Sequence, residues 1–89
     1  MKDILKLVGK VKRGKNRLKI FKAIDEPIMP SELVVKVYGK KSNTYFNLVS
    51  RALAELEELK LIEVVNPKER TGRIYELTKK GGEVKKTLD

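Results

Sequence analysis

The chain has 89 residues, 40% hydrophobic and 37% charged, which fits one small folded domain with a modest core and excludes both a two-domain protein and a disordered tail. It contains no Cys and no His, which excludes disulfides, thiolate metal sites and the commonest general base. The net charge is +9, from 21 Lys and Arg against 12 Asp and Glu, and residues 1–22 alone hold nine basic residues and one acid, Asp3.

A field of this sign favours nucleic acid or an anionic membrane surface as partner. No run of about 18 apolar residues occurs, so no membrane span and no membrane partner are expected. The apolar core of "MKDILKLVGKVKRG" is too short and too interrupted for a secretory signal, and a cytoplasmic location is expected.

In chain order, Ile4, Leu5, Leu7, Val8 and Val11 give a short, weak helical pattern within a basic N-terminal segment, residues 1–14, which Gly14 breaks. From Lys15 the stripe Leu18, Ile20, Phe21 and Ile24 predicts a first main helix, stopped by "DEPIMP". "ELVVKVYG" predicts a second, with Ser31 as its cap and Gly39 as its end. The third, capped by Ser42 or Asn43, carries Tyr45, Val49, Ala52, Leu53, Leu56 and Leu59 at three- and four-residue steps. "LIEVV" and "RIYELT" alternate around the polar "NPKERTG", a β-hairpin. "KKGGEVKKTLD", residues 79–89, reads as a short helix or tail with Thr78 as a cap.

Two helices joined by a short turn and followed at once by a hairpin describe a winged helix-turn-helix. The expected fold is therefore mostly α with a small β-hairpin, a three-helix core plus wing with short terminal helices, in a single domain spanning residues 1–89.

Catalytic patterns are thin. "GKVKRGKN", Gly9 to Asn16, approaches a phosphate loop but places Asn16 where magnesium needs a hydroxyl, and its intervening residues are bulky and basic. Glu55, Glu57 and Glu58 read as a solvated face with no His to share a proton. The chain is read as a non-enzyme with no cofactor and no metal.

The third helix carries the sharper pattern. With its apolar stripe inward, Thr44, Asn47 and Arg51 share the opposite face, flanked by Asn43 and Ser50. Asn suits adenine, Arg suits guanine, and Ser and Thr suit several base edges. These residues fall in the N-terminal half, the part of such a helix that enters a major groove. Lys68, Arg70 and Arg73 surround the hairpin tip, and Lys15, Arg17, Lys40 and Lys41 extend the candidate contacts to the DNA backbone. Phe46 is expected to pack against the second helix.

From "RLKIFKAI" through "PSEL", "VSRALAELEELKLIEVVNP" and "GRIYELTKKG", roughly residues 15–83, the chain resembles archaeal winged-helix transcriptional regulators of the broad MarR/ArsR-like group. The resemblance implies sequence-specific binding of double-stranded DNA as a homodimer, usually to repress transcription. Ser50 and Arg51 fall on the motif's "VSR", and "NPKERTGR" falls on the wing. "KKSNTYFNL" is about four residues longer than the family's turn, as an extra helical turn or a longer loop. The chain is too short for a separate effector domain, so no small-molecule effector is expected.

The reading is a transcription regulator whose third helix enters the major groove, with residues 1–12 or 79–89 supporting dimerisation. Two alternatives stand beside it: a winged-helix protein-interaction module of a larger complex, and a non-specific RNA or chromatin binder.

Overall fold

Gly14, the prolines of "DEPIMP" and Gly39 divide the first half of the chain into helices. The computed structural model describes residues 2–88, so Met1 and Asp89, the ends of the expected domain, lie outside it. The elements run α1 (Lys2–Lys12), α2 (Lys15–Ala23), α3 (Pro30–Tyr38), α4 (Asn43–Glu58), β1 (Ile62–Val64), β2 (Tyr75–Leu77) and α5 (Lys79–Leu88). The described residues are thus mostly helical, with one small antiparallel hairpin.

α1 is more regular than its sequence pattern. It passes through Gly9 without a break and buries Val8 and Val11 in the core of its own chain, leaving Leu5 67% exposed. Burial of two valines outweighs the roughly 1 kcal/mol a helical glycine costs. Gly14 then adopts an extended conformation, φ −111° and ψ 115°, and its carbonyl accepts from the Leu18 N–H to open α2.

The start of α3 corrects one expectation. Ser31 lies inside the helix, because Pro30 already occupies its first position, where a missing N–H costs nothing. The Glu32 carboxylate accepts the Met29 N–H at 2.9 Å and closes the end that Ser31 was expected to cap. Gly39 ends α3 with φ +82°, the left-handed conformation glycine adopts without penalty.

The Ser42 Oγ accepts the Tyr45 N–H at 3.2 Å, so Ser42 rather than Asn43 caps α4. The residues "NTYFN" are therefore helical and form the N-terminal end of α4. Val49, Ala52, Leu53 and Leu56 are buried, Tyr45 and Leu59 half-buried, and the stripe packs across α2 and α3. α4 closes without a glycine. The Lys60 N–H donates to Glu57 and the Leu61 N–H to Leu56, while Lys60 takes φ +64°. This is a Schellman closure with lysine where glycine is usual.

β1 and β2 pair Ile62 with Leu77, Glu63 with Glu76 and Val64 with Tyr75. "DEPIMP" does more than stop α2. Ile28 and Tyr75 exchange both backbone hydrogen bonds at 2.9 Å, so a one-residue extended segment borders the hairpin. α5 is a full helix rather than a tail. The Thr78 Oγ1 accepts the Gly81 N–H at 3.0 Å, the cap expected of it, and donates to the Lys60 carbonyl at 2.7 Å. Val84 of α5 joins the core, and α5 packs on α1.

The carboxyl end of α2 is held by two lysines from distant elements. Lys36 Nζ of α3 donates to the Ala23 carbonyl at 2.6 Å and to Asp25 at 3.1 Å. Lys85 Nζ of α5 donates to the Ile24 carbonyl at 2.7 Å and also to Asp25. Asp25 thus ties α2, α3 and α5 together at one point.

Two predictions follow from this packing. A Cβ on Gly81 would lie 1.9 Å from the Leu61 carbonyl oxygen, whereas one on Gly82 meets nothing within 4 Å. Gly81→Ala should destabilise the fold by about 1–3 kcal/mol or more through a backbone clash. Gly82→Ala should stabilise it by about 0.5–1 kcal/mol through helix propensity, and urea titration of both variants distinguishes the neighbours. The hydrogen bond from Lys85, then that from Lys36, hold the Asp25 carboxyl below its ordinary value of 3.8. The folded value lies below the unfolded one, so the contribution is complete above about pH 4 and is lost as the pH falls through the folded value. Asp25→Asn should therefore be less stable than wild type at neutral pH and show a shallower loss of stability below pH 4, measured by denaturant titration across the acid range.

Candidate nucleic-acid interface

The outer face of α4 follows from its inner one. At about 100° per residue, burial of Val49, Ala52, Leu53 and Leu56 turns Asn47 and Arg51 outward, with Thr44 on one flank and Asn43 and Ser50 on the other. All five are exposed. The helix thus presents short polar side chains over its N-terminal half, one arginine at its middle, and Glu55, Glu57 and Glu58 near its end.

Aromatic contacts fix how this face is aimed. Tyr38 at the end of α3 stacks on Tyr45 in the first turn of α4, with ring centroids 4.5 Å apart and planes 1° from parallel. The Tyr38 hydroxyl donates to Asn16 Oδ1 at 2.9 Å, which reaches the start of α2. Burial, then the neighbouring Tyr45, raise the Tyr38 pKa above its ordinary 10.0, so the hydroxyl keeps its proton at physiological pH. Three helices are therefore clamped where the candidate face begins.

Two flanks border the face. On one, Lys15, Asn16 and Arg17 line a groove with Leu48, Arg51 and Glu55 of α4. On the other, Arg70 and Arg73 of the hairpin loop line a groove with Phe46, Ser31 and Tyr75. Phe46 is half-buried against the core and lines this groove between the start of α3 and the hairpin. The hairpin loop thus borders α4 near its start, at Phe46, and the start of α2 borders it further along, from Leu48 to Glu55.

The loop itself is ordered by Asn66, which the sequence analysis did not single out. Its Oδ1 accepts the Ile74 N–H at 2.7 Å and its Nδ2 donates to the Gly72 carbonyl at 3.1 Å. Gly72 takes φ +68°, and Arg73 Nε donates to the Glu69 carbonyl at 3.0 Å. One asparagine thereby replaces the ladder that ends at Val65, whose N–H reaches Ile74 at 2.7 Å. The signal for it was present: Asn ahead of Pro, with Gly six residues on, is loop chemistry.

The remaining candidates separate. Lys40 and Lys41 are exposed in the turn before α4, but Lys41 lines a groove with Val35 and Lys36 on the α3 side. Lys68 is exposed at the tip of the hairpin loop. Arg17 is turned inward. Its Nη1 donates to Glu55 at 3.1 Å and its Nη2 to the Lys10 carbonyl, and the side chain is 18% exposed. It fastens α1 and α4 to α2 and has little surface left for a phosphate, so Lys15 is the α2 cation that borders the face. Glu55 is accordingly part of an ion pair rather than a purely solvated residue.

Among the described residues no cluster of acidic or other ligating side chains could hold a metal ion, and no helix is long and apolar enough to cross a membrane. Compared with known proteins, the chain matches no family model, no curated protein and no solved structure.

Asn66→Ala should leave the half-buried Ile74 N–H unpaired and loosen the loop by about 1–3 kcal/mol. Amide hydrogen exchange should quicken by roughly tenfold or more at Ile74 and Gly72 while α2 amides keep their wild-type rates. Uniform quickening across the chain would instead make Asn66 a determinant of global stability.

Proposed function

We propose that this protein is a winged helix-turn-helix that binds double-stranded DNA in a sequence-specific way and regulates transcription. α3 and α4 form the helix-turn-helix, α4 is the recognition helix and the loop between β1 and β2 is the wing. Ile28 paired to Tyr75 supports this assignment, because it ties the segment before α3 to the hairpin and sets the wing beside α4.

The observation that carries the reading is the outward face of α4. Asn47 and Arg51 project from α4 with basic groups on two sides, Arg70 and Arg73 near its start and Lys15 near its middle. Side chains suited to base edges then lie between cations suited to phosphates. Glu57 and Glu58 lie toward its other end, and Glu55, one turn past Arg51 in the groove that Lys15 lines, is paired with Arg17.

The exposed large hydrophobic residues do not favour a protein-interaction module. Leu5, Val35 and Val65 lie on α1, on α3 and after β1, as single side chains on separate elements. Nor does the reading require two copies. Val8 and Val11, on which pairing through residues 1–12 would draw, are buried within their own chain. The symmetry of the bound DNA sequence reports whether one copy or two occupy a site.

Selection from a random duplex pool should enrich a defined sequence. Asn47→Ala and Arg51→Ala should each cost about 1–3 kcal/mol on that sequence and relax preference at one position, with far smaller losses on random DNA. With about six phosphates neutralised, the logarithm of affinity should fall against the logarithm of salt with a slope of about −5. Salt-independent binding, or equal affinity for enriched and random duplexes, would overturn the reading.

A further inference from the structure

The positive charge of the protein does not reside in the segment that forms the candidate interface. Residues 24–78, which hold α3, α4 and the hairpin, carry eight Lys and Arg against nine Asp and Glu, a net charge of −1. The rest of the chain carries thirteen against three, a net of +10. The proposed recognition helix and wing supply chemistry for bases and a few phosphates, but almost none of the long-range field.

Within the basic portion, cations differ in what they already hold. Arg17 pairs with Glu55, and Lys85 pairs with Asp25 alongside Lys36 of α3. Lys15, Lys19 and Lys22 do not: all three are exposed, and among the described residues none takes part in an ion pair. Their spacing puts them on one outward face of α2, a helix with no acidic residue. The stripe also has a direction. Lys15 shares a groove with Arg51 of α4, while Lys19 and Lys22 line a second groove against Lys36 and Val37 of α3. It therefore starts at the candidate interface and leads away from it for about 10 Å, at roughly 1.5 Å per residue.

We propose that the outer face of α2, through Lys19 and Lys22, is a second phosphate-backbone surface that holds the flank of the same DNA duplex whose centre lies on α4. This rests on the DNA-binding reading above and extends its footprint. A stripe continuous with Arg51 suits a flank of one molecule better than a separate partner. Lys19 and Lys22, which line their groove with Ala23, Lys36 and Val37 and no aromatic or amide side chain, suit phosphates rather than bases.

The test compares full-length wild type with Lys19→Gln/Lys22→Gln on two duplexes, about 12 and about 30 base pairs long, each centred on the enriched sequence. Wild type should bind the longer duplex more tightly and with a salt slope steeper by about 2, from two further phosphates. The double variant should lose that difference, so that affinity for the longer duplex at 50 mM salt falls by about tenfold while base preference is unchanged. Its thermal melt should match wild type, because both side chains are exposed. Lys79→Gln/Lys86→Gln, the same loss of charge on α5, should keep the length dependence. An equal loss in that control would mean a diffuse field and overturn the proposal. So would an unchanged length dependence in the α2 variant, two duplexes bound per chain, or loss of binding only to vesicles of anionic lipid. Wild type that binds neither duplex overturns the DNA-binding reading with it, whereas a selective wild type without length dependence overturns the α2 surface alone.

Discussion

The burial of one stripe of α4 against α2 and α3 is the constraint on which the rest of this structure depends. Among the described residues no polar side chain is fully buried, so the core is a purely apolar contact among short elements. Val49, Ala52, Leu53 and Leu56 occupy its centre. Each valine or leucine there contributes about 1.5–3 kcal/mol, a large share of the stability a domain of this size can reach. Rotation of α4 by a single position would expose that stripe and bury asparagine or arginine without partners. The cost of either change fixes which side chains face outward. The candidate interface is therefore a by-product of core packing in its orientation, although not in its chemistry.

A second consequence concerns the cations. In a small basic protein the same residue type serves as scaffold and as surface, and the distinction is made by neighbours. Arg17 and Lys85 lie on the basic helices, yet both are spent on carbonyl oxygens and carboxylates at helix junctions. Lys15, Lys19 and Lys22 project from the opposite side of α2, and none of them takes part in an ion pair among the described residues. Formal charge alone would rank Arg17 with Lys15 as a phosphate contact. Packing separates them, because Arg17 is turned onto Glu55 and the Lys10 carbonyl while Lys15 stays exposed and unpaired among the described residues.

Much of this was legible in the sequence, and the failures have a common cause. Periodicity located the helices and the hairpin, since apolar spacing is dictated by a face that must be buried. Gly14, Gly39 and Ser42 marked boundaries through local chemistry that needs no tertiary partner. Four features escaped: Glu32 in place of Ser31 at the start of α3, Lys60 in a left-handed conformation, the pairing of Ile28 with Tyr75, and the Asp25 junction. In the first, a proline one residue earlier shifted the cap. The other three depend on groups far apart in sequence. Lys60 keeps φ +64° while its carbonyl accepts from Thr78, and Asp25 is defined by lysines 11 and 60 residues away. The exposed face of α4 was legible as a face, but the flanks that give it direction are tertiary.

The length of α4 joins these strands. A turn kept short after Gly39 would start the helix near Phe46 and leave Tyr45 in a loop. Because Ser42 caps it instead, Tyr45 sits in the first turn, where it can stack on Tyr38 and, through the Tyr38 hydroxyl, register against Asn16 of α2. This first turn thus does two things at once. It pushes Asn43, Thr44 and Asn47 outward along the helix axis, beyond the core, and it braces that projection against two other helices. An unbraced helical end would fray, since its first N–H groups lack internal partners. Side chains on a frayed turn could not hold a fixed geometry toward any partner. The aromatic stack is therefore as much a requirement of the proposed interface as the polar residues that would touch DNA.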